Sequence, residues 1–569
     1  MIRLPKTGPP EAGHRPVRTG ALIAVFAAAL AALAPAGTPR GGRRPAAAAA
    51  PRQAVLDLLA SGPPWSRGRI DAAVDRLLAG AQRVSGRPSL RSVLPALSAA
   101  CPPAAPFDAR EVLLYAITEK TDNEFDDVEA LQYAWGVVPR RSADRRVRLA
   151  AGGARFAADD RDPVEATIYS FPSSSFEPGE VERLLEAVRR AHPKRPIVAL
   201  VDPLMRIQLA DFARGSAITL LDTFGWPYSP WPRDSFSQTR DSRGRMVLLA
   251  RPKAALLRAR AADDAMAREI VKDAPEELMR RWGEPVWALA PVPFHNGQLL
   301  TAAGAAWISL HSLEPRILEI LHASRVPVES FANAEGIARY CAAARRAAAE
   351  LGVLYGRTIR FVHRLPESGT LGQRRELMTA IGGGAGFDLD SIVTIAGGGR
   401  GRGTAIVADS SLGKDLVAGS PAPDLSAFAD LYGLSLRGED LRRALLSYQE
   451  QPRALRLGAF LDLVGRHLRE AGFSVRRLPA FLVPVALRRE PVAGEDDFLI
   501  GWNNVVLDRD GEKLRAEGFS GGLASGDALA RRAFSDAGWE LSLYPPLVPS
   551  VVRNGGYRCA SNNFRLLPK

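Results

Sequence analysis

From Glu165 onward the chain alternates strand-like and helix-like segments, and this alternation limits the fold more than any other feature. ATIYSFP is β-branched and aromatic and predicts a strand. PGEVERLLEAVRRAHP has apolar residues at helical spacing and ends at a proline. PIVALVD, IQLADFAR and AITLLD then predict strand, short helix and strand. Such an order is the signature of βαβ units and places the chain in the α/β class. The pattern returns in AAWISL, LEPRILEILHA, GIARYCAAARRAAAELG, TIRFVHRLP, SIVTIAG, TAIVAD, FLDLVGRHLREAG, FSVRRLP, FLIGWNNVVLD, DALARRAFSDAG and WELSLYP.

The N-terminus is built differently. Arg3, Lys6, Arg15 and Arg18 precede the apolar run Ala21 to Ala34, which ends in Ala34-Pro35-Ala36. Residues 1–36 therefore predict a cleaved signal peptide, because the run is shorter than the ~20 residues a spanning helix needs. The expected location is periplasmic or extracellular, with no stable membrane insertion after cleavage. Residues 37–65, with GGRRPAAAAAP, read as a disordered linker. Residues 66–150 carry helical patterns and read as a helical N-terminal extension. Within them EVLLYAI fits a short helix or a strand. Residues 155–569 form the main α/β domain.

The net charge of +13 permits attraction to anionic surfaces, but no zinc finger, RNA-binding signature or long basic block is present, and no specific nucleic-acid partner is expected. The three cysteines, Cys101, Cys341 and Cys559, are too few for a disulfide scaffold or a structural zinc, although Cys101 and Cys341 are free to pair after export. No GxxxxGK[ST] loop occurs, and the clusters IGGGAG and AGGGRGRG lack a dinucleotide-site context. No cofactor and no metal are expected.

Five segments place polar or reactive residues where strands meet loops: WPYSPWPRDSF, PFHNGQLL, GFDLDSIVT, GWNNVVLD and NGGYRCASNN. Such ends favour α/β active sites. Cys559 follows Gly555-Gly556, which permit a sharp turn or a close approach; it reads equally as a nucleophile or as a buried strand cysteine. Asp388 and Asp390 share a face if the segment is a strand, and need a cation or a shared proton there, or simply cap a loop. Asp234 lies beside Arg233, and His295 is one of seven histidines; a lone histidine is more often structural than catalytic. Together the residues suit one chemistry. Carboxylates grip a planar guanidinium, a thiolate attacks its carbon, and a general acid protonates the departing amine.

In this order the segments resemble the guanidino-group-modifying, or pentein, superfamily, which includes arginine, agmatine and protein-arginine deiminases and the amidinotransferases. The resemblance rests on short blocks: Arg233-Asp234, Phe294-His295-Asn296-Gly297-Gln298, Asp388-Leu389-Asp390, Asn503-Asn504 and Gly555-Gly556-Tyr557-Arg558-Cys559. It implies a five-bladed α/β propeller around a polar channel. An α/β-hydrolase fold is disfavoured by the missing GxSxG elbow. The resemblance further implies Cys559, His295 and Asp388 as catalytic residues, and Asp234, Asp390, Arg233, Asn296, Asn503 and Arg558 as substrate-binding ones. The chain departs from the family where its histidine falls on Asp388 and its supporting acid on His295, as though the pair had exchanged. The implied substrate is a small guanidino compound or an arginine-containing peptide. The alternatives are a guanidinium-binding protein without turnover and an amidinotransferase.

Overall fold

The computed structural model describes residues 67–566 apart from 85, 101–106, 122–124, 138–145, 148–154, 224, 251–262, 273–278, 280–282, 291–298, 303, 324–333, 366–370, 383–386, 398–402, 491 and 493–494. The expected signal peptide and linker lie outside the described residues, as does Cys101. No helix among the described residues is long and apolar enough to cross a membrane.

The chain is a mixed α/β protein built from several small sheets. One arrangement recurs five times among the described residues: an antiparallel strand pair, a helical crossover, and a third strand parallel to the second. In the first unit Ser561–Arg565 pairs antiparallel with Val164–Phe171, which pairs parallel with Ile197–Val201, and Ile218–Asp222 adds a fourth strand. The second joins Phe236–Arg240, Met246–Ala250 and Val286–Leu289. The third joins Leu300–Ala302, Ala305–Ile308 and Ile359–Phe361. The fourth joins Val393–Ala396, Thr404–Asp409 and Ser474–Pro479. The fifth joins Val506–Asp510, Lys513–Phe519 and Glu540–Tyr544. The first unit is thus closed by the last strand of the chain.

Local sequence explains these elements. Val164–Phe171 is buried on both faces except at Glu165, so it reads as a nearly continuous apolar run. Helix Pro178–Ala191 starts with a proline and buries Val181, Leu184, Leu185 and Val188, one stripe at helical spacing. Helix Pro203–Ala213 is capped by Asp202, whose carboxylate accepts from the Leu204 and Met205 N–H groups.

Four helices, Arg67–Leu78, Leu90–Ala100, Phe107–Lys120 and Phe125–Trp135, form the N-terminal region. EVLLYAI is helical, inside Phe107–Lys120. Ile70, Val74, Leu113, Leu114 and Leu131 share one core with Ile168, Val198, Leu200 and Phe236 of the first two units. An ion pair between the half-buried Arg206 and the buried Glu111, at 2.7 Å, crosses the same contact.

Two strand readings need correction. FLIGWNNVVLD is not one strand but two, Asp497–Ile500 and Val506–Asp510, with Gly501 to Val505 as a loop between them. The two strands pair with different partners, Phe481–Pro484 and Lys513–Phe519, so the chain must leave one sheet before joining the next. SIVTIAG likewise becomes a strand only at Val393, because Ser391 and Ile392 belong to a single helical turn, Leu389–Ile392.

Candidate active site

Four of the five polar segments hold equivalent places among the described residues: each immediately precedes a unit's first strand. Three end in a single helical turn: Pro232–Ser235 before Phe236, Leu389–Ile392 before Val393, and Tyr557–Ala560 before Ser561. Asn503 and Asn504 precede Val506, and the segment with His295 and Asn296 precedes Leu300 but lies outside the described residues. A short helical turn directs a side chain inward while the following strand anchors it, so residues far apart in sequence converge.

Cys559 is 1% exposed, and three neighbours define its surroundings. The Asn504 Nδ2 group donates to Sγ at 3.1 Å, while Asn504 Oδ1 accepts from the backbone N–H groups of Arg558 and Cys559, at 2.6 and 3.1 Å. The thiol faces the Asp390 carboxylate, with Sγ to oxygen distances of 3.7 and 3.8 Å. Oxygens of Asp388 and Asp390 and the Cys559 sulfur all lie within 4.8 Å of one another. Burial first, then the charges of Asp390, Asp388 and Asp234, pushes the thiol pKa well up, so Cys559 rests as a neutral thiol.

The two glycines before Cys559 are required by packing rather than by a turn. A Cβ on Gly556 would lie 2.5 Å from Asn504 Cβ, and one on Gly555 would collide with the Trp231 indole. The left-handed turn is made by Asn554 instead, with φ 64°. Glycine at position 556 lets the Cys559 helix press directly onto Asn504.

Asp390 already holds a guanidinium. Arg558 donates from Nη1 to Asp390 at 2.6 Å, and from Nη2 to Asp159 at 3.0 Å and to the Leu299 carbonyl at 2.8 Å. Burial pushes the Asp390 carboxyl up to about 7, Arg558 opposes this, and Asp388 and Asp234 add to it. Asp159 is the hub of the basic groups: Arg233 approaches it at 3.5 Å and Arg565 at 3.6 Å, in addition to Arg558. Burial would raise the Asp159 carboxyl, but Arg558, Arg233 and Arg565 overwhelm that and hold it well below the usual range. Burial and the facing Arg558 lower the Arg233 pKa against the pull of Asp159.

Of the residues singled out from sequence, Cys559, Asp388, Asp390 and Arg558 meet in direct contact or within one cluster, and Asp234 is buried close enough for its charge to act on Cys559 and Asp390. Arg233 joins them through Asp159. Asn503 serves the scaffold: its Nδ2 donates to the Ile406 carbonyl at 2.8 Å and its carbonyl accepts from Thr394 Oγ1 at 2.8 Å. Its neighbour Asn504 is the one that touches the thiol. Asp388 and Asp390 do not share a strand face, since Asp388 is the N-cap and Asp390 sits inside the helical turn, yet that turn still gathers both carboxylates.

Asp159 and His311 were not singled out from sequence, and Asn504 only within the Asn503-Asn504 block, where the sequence reading names Asn503 as the site residue. Asp159 stands in AADDRDP, which has no informative spacing. His311 opens helix Leu310–Ala323; its hydrogen bond to Glu314, at 3.2 Å, chiefly raises its pKa, and the Asp388 charge adds to the rise. Among the described residues, two clusters offer donor atoms close enough for a cation, Asp388/Asp390/Cys559 and His192/Asp508/Glu517. Each already contains a guanidinium, Arg558 in the first and Arg195 in the second, which supplies the positive charge. Cys341 is a buried free thiol on helix Ala334–Tyr355.

No protein-family model matches the chain, and no curated protein matches it in sequence. Among solved structures, the chain is similar to an agmatine deiminase of Enterococcus faecalis captured catalysing its reaction, with 11% identity, a TM-score of 0.43, and coverage of 74% of this chain and 99% of that one. It is also similar to a structural-genomics target assigned as an agmatine deiminase, with 10% identity, a TM-score of 0.42 and the same coverage.

Proposed function

We propose that the chain is a hydrolase of guanidino groups, deiminase-like, with Cys559 as the nucleophile. One observation carries this reading: a buried thiol and the carboxylates of Asp388 and Asp390 lie within 4.8 Å of one another, delivered by segments that start different units of the fold. A planar cation would be held by Asp390 and Asp234, with its central carbon toward Sγ. The thiol proton passes to a neighbouring base, and Asp388, with a carboxylate oxygen within 4.8 Å of Sγ, is placed to take it. The S–C bond forms as the C–N bond breaks, and ammonia leaves with a proton supplied by the acid. Water then adds to the carbon, the C–S bond breaks, and a ureido product and free thiol result. In this reading His295 and Asp388 form the proton-transfer pair, the five units close into a ring around the site, and residues 1–36 export the chain. The substrate is a small guanidino compound or an arginine in a peptide.

A second reading is favoured by the Arg558 guanidinium seated on Asp390 and by the neutral thiol. Both suit a protein that binds guanidinium groups without turnover, because a substrate must first displace Arg558. Incubation with arginine, agmatine and an arginine peptide at pH 5 to 9, followed by ammonia, urea and ureido-product analysis, separates the readings. Ureido product with ammonia supports the hydrolase. Binding without product from any of them replaces it with the second reading, and product only when an amine is supplied points to an amidinotransferase.

A further inference from the structure

A groove of about 910 Å³ lies on the third unit, away from the Cys559 cluster, and its wall is basic. Arg345 comes from helix Ala334–Tyr355, Arg357 from the turn after it, Arg360 from the edge strand Ile359–Phe361, Arg364 from the loop beyond, and His467 from helix Pro452–Glu470. No carboxylate is among the described residues lining it. The chain as a whole carries 75 lysines and arginines against 62 acids, so four arginines without one acid is a local departure from near balance. A second groove, of about 520 Å³, shows the ordinary case: Arg476, Arg477 and Arg532 stand there with Asp415 and Asp536.

Two of the arginines are held in place without being neutralised. Arg360 lies over the Trp307 ring, 5.6 Å from its centroid, and Arg357 donates to the Phe156 carbonyl at 2.8 Å. Arg345, Arg360 and Arg364 form no ion pair with any described residue and stay exposed. Burial, reinforced by Arg364, lowers the His467 pKa, so its ring adds hydrogen-bonding capacity without needing to be charged. Guanidinium forks match phosphate oxygens bidentately. The volume exceeds what one phosphate fills and suits a ligand of nucleotide size.

We infer that this groove binds a multiply phosphorylated small molecule. The full chain is titrated calorimetrically at low salt with inorganic phosphate, inorganic pyrophosphate, metal-free ATP and adenosine. Pyrophosphate and ATP are expected to bind, phosphate more weakly, and adenosine not at all; stronger binding of ATP than of pyrophosphate assigns the rest of the groove to the nucleoside. The variant R345A/R360A/R364A is expected to weaken binding by roughly tenfold or more, while R476A/R532A in the mixed groove leaves it unchanged. The lysine variant R345K/R360K/R364K retains part of the affinity and guards against a folding defect. Absence of binding by both pyrophosphate and ATP overturns the inference, and so does equal weakening by the two alanine variants, which marks diffuse attraction to a basic protein.

Discussion

Cys559 sits among acids, which is the reverse of what activates a thiol. Burial, Asp390, Asp388 and Asp234 all push its pKa up, and the Asn504 hydrogen bond opposes them. Removing one of those charges must therefore lower it. Asp390→Asn is expected to move the pH profile of Cys559 alkylation by iodoacetamide toward lower pH, read by mass spectrometry with buried Cys341 as an internal reference. A profile that stays or moves upward contradicts the electrostatic account. A second buried network lies behind the same helical turn. Glu517 accepts from Arg195 at 2.8 Å and from Tyr557 at 3.1 Å, and lies 2.9 Å from His192 Nε2. Burial alone would raise the Glu517 carboxyl, but Arg195, followed by His192, holds it at about 2. Its folded pKa is below the unfolded value of ~4.3, so its stabilisation is complete above ~4.3 and is lost as pH falls toward the folded value. Glu517→Gln is expected to cost ~3–5 kcal/mol at pH 7, because Arg195 loses a buried partner, and to flatten the acid limb of the stability curve. Urea denaturation from pH 2 to 7 checks both.

At the scale of elements, the helical turn that presents Cys559 depends on two glycines pressed against the second and fifth units. Gly556→Ala places a methyl against Asn504 and is expected to cost ~1–3 kcal/mol. It should also speed thiol alkylation by disturbing the Asn504 contacts; an unchanged melt and alkylation rate would show that the packing tolerates the methyl. These elements explain what was legible in the sequence. Strands and crossover helices announced themselves by apolar runs and helical stripes, as in Val164–Phe171 and Pro178–Ala191. Cys559 was legible because Gly-Gly preceded it, though the glycines serve close packing rather than a turn. The single-turn helices were missed, since four residues such as LDSI have no periodicity to read. Sequence named Asn503 as substrate-binding, whereas the thiol's amide partner is Asn504, because adjacent residues in a loop diverge for reasons that only tertiary contacts decide. Asp159 gave no signal: its importance comes from three arginines 74, 399 and 406 positions away, of which only the first two make hydrogen bonds to it.

Among the described residues, four polar segments stand at one recurring position, before the first strand of a unit. The N-terminal helices are part of the same structure, not an appendage, since Leu113, Leu114 and Leu131 are buried with Ile168, Val198 and Phe236. A chain starting at residue 151 is expected to lose its cooperative melt and bind hydrophobic dye, whereas a truncation at residue 66 keeps the melt and binds no dye; an unchanged melt for the shorter chain would show that the helices are dispensable. The central claim is that Cys559 attacks a guanidino carbon. Acid-quenched turnover with agmatine, arginine or an arginine peptide, followed by intact mass and peptide mapping, tests it most directly. The account predicts a substrate-derived adduct, lacking the elements of ammonia, on Cys559 of the wild type and on no residue of Cys559→Ala. Product formation by Cys559→Ala at the wild-type rate, with no adduct on Cys559, would contradict it.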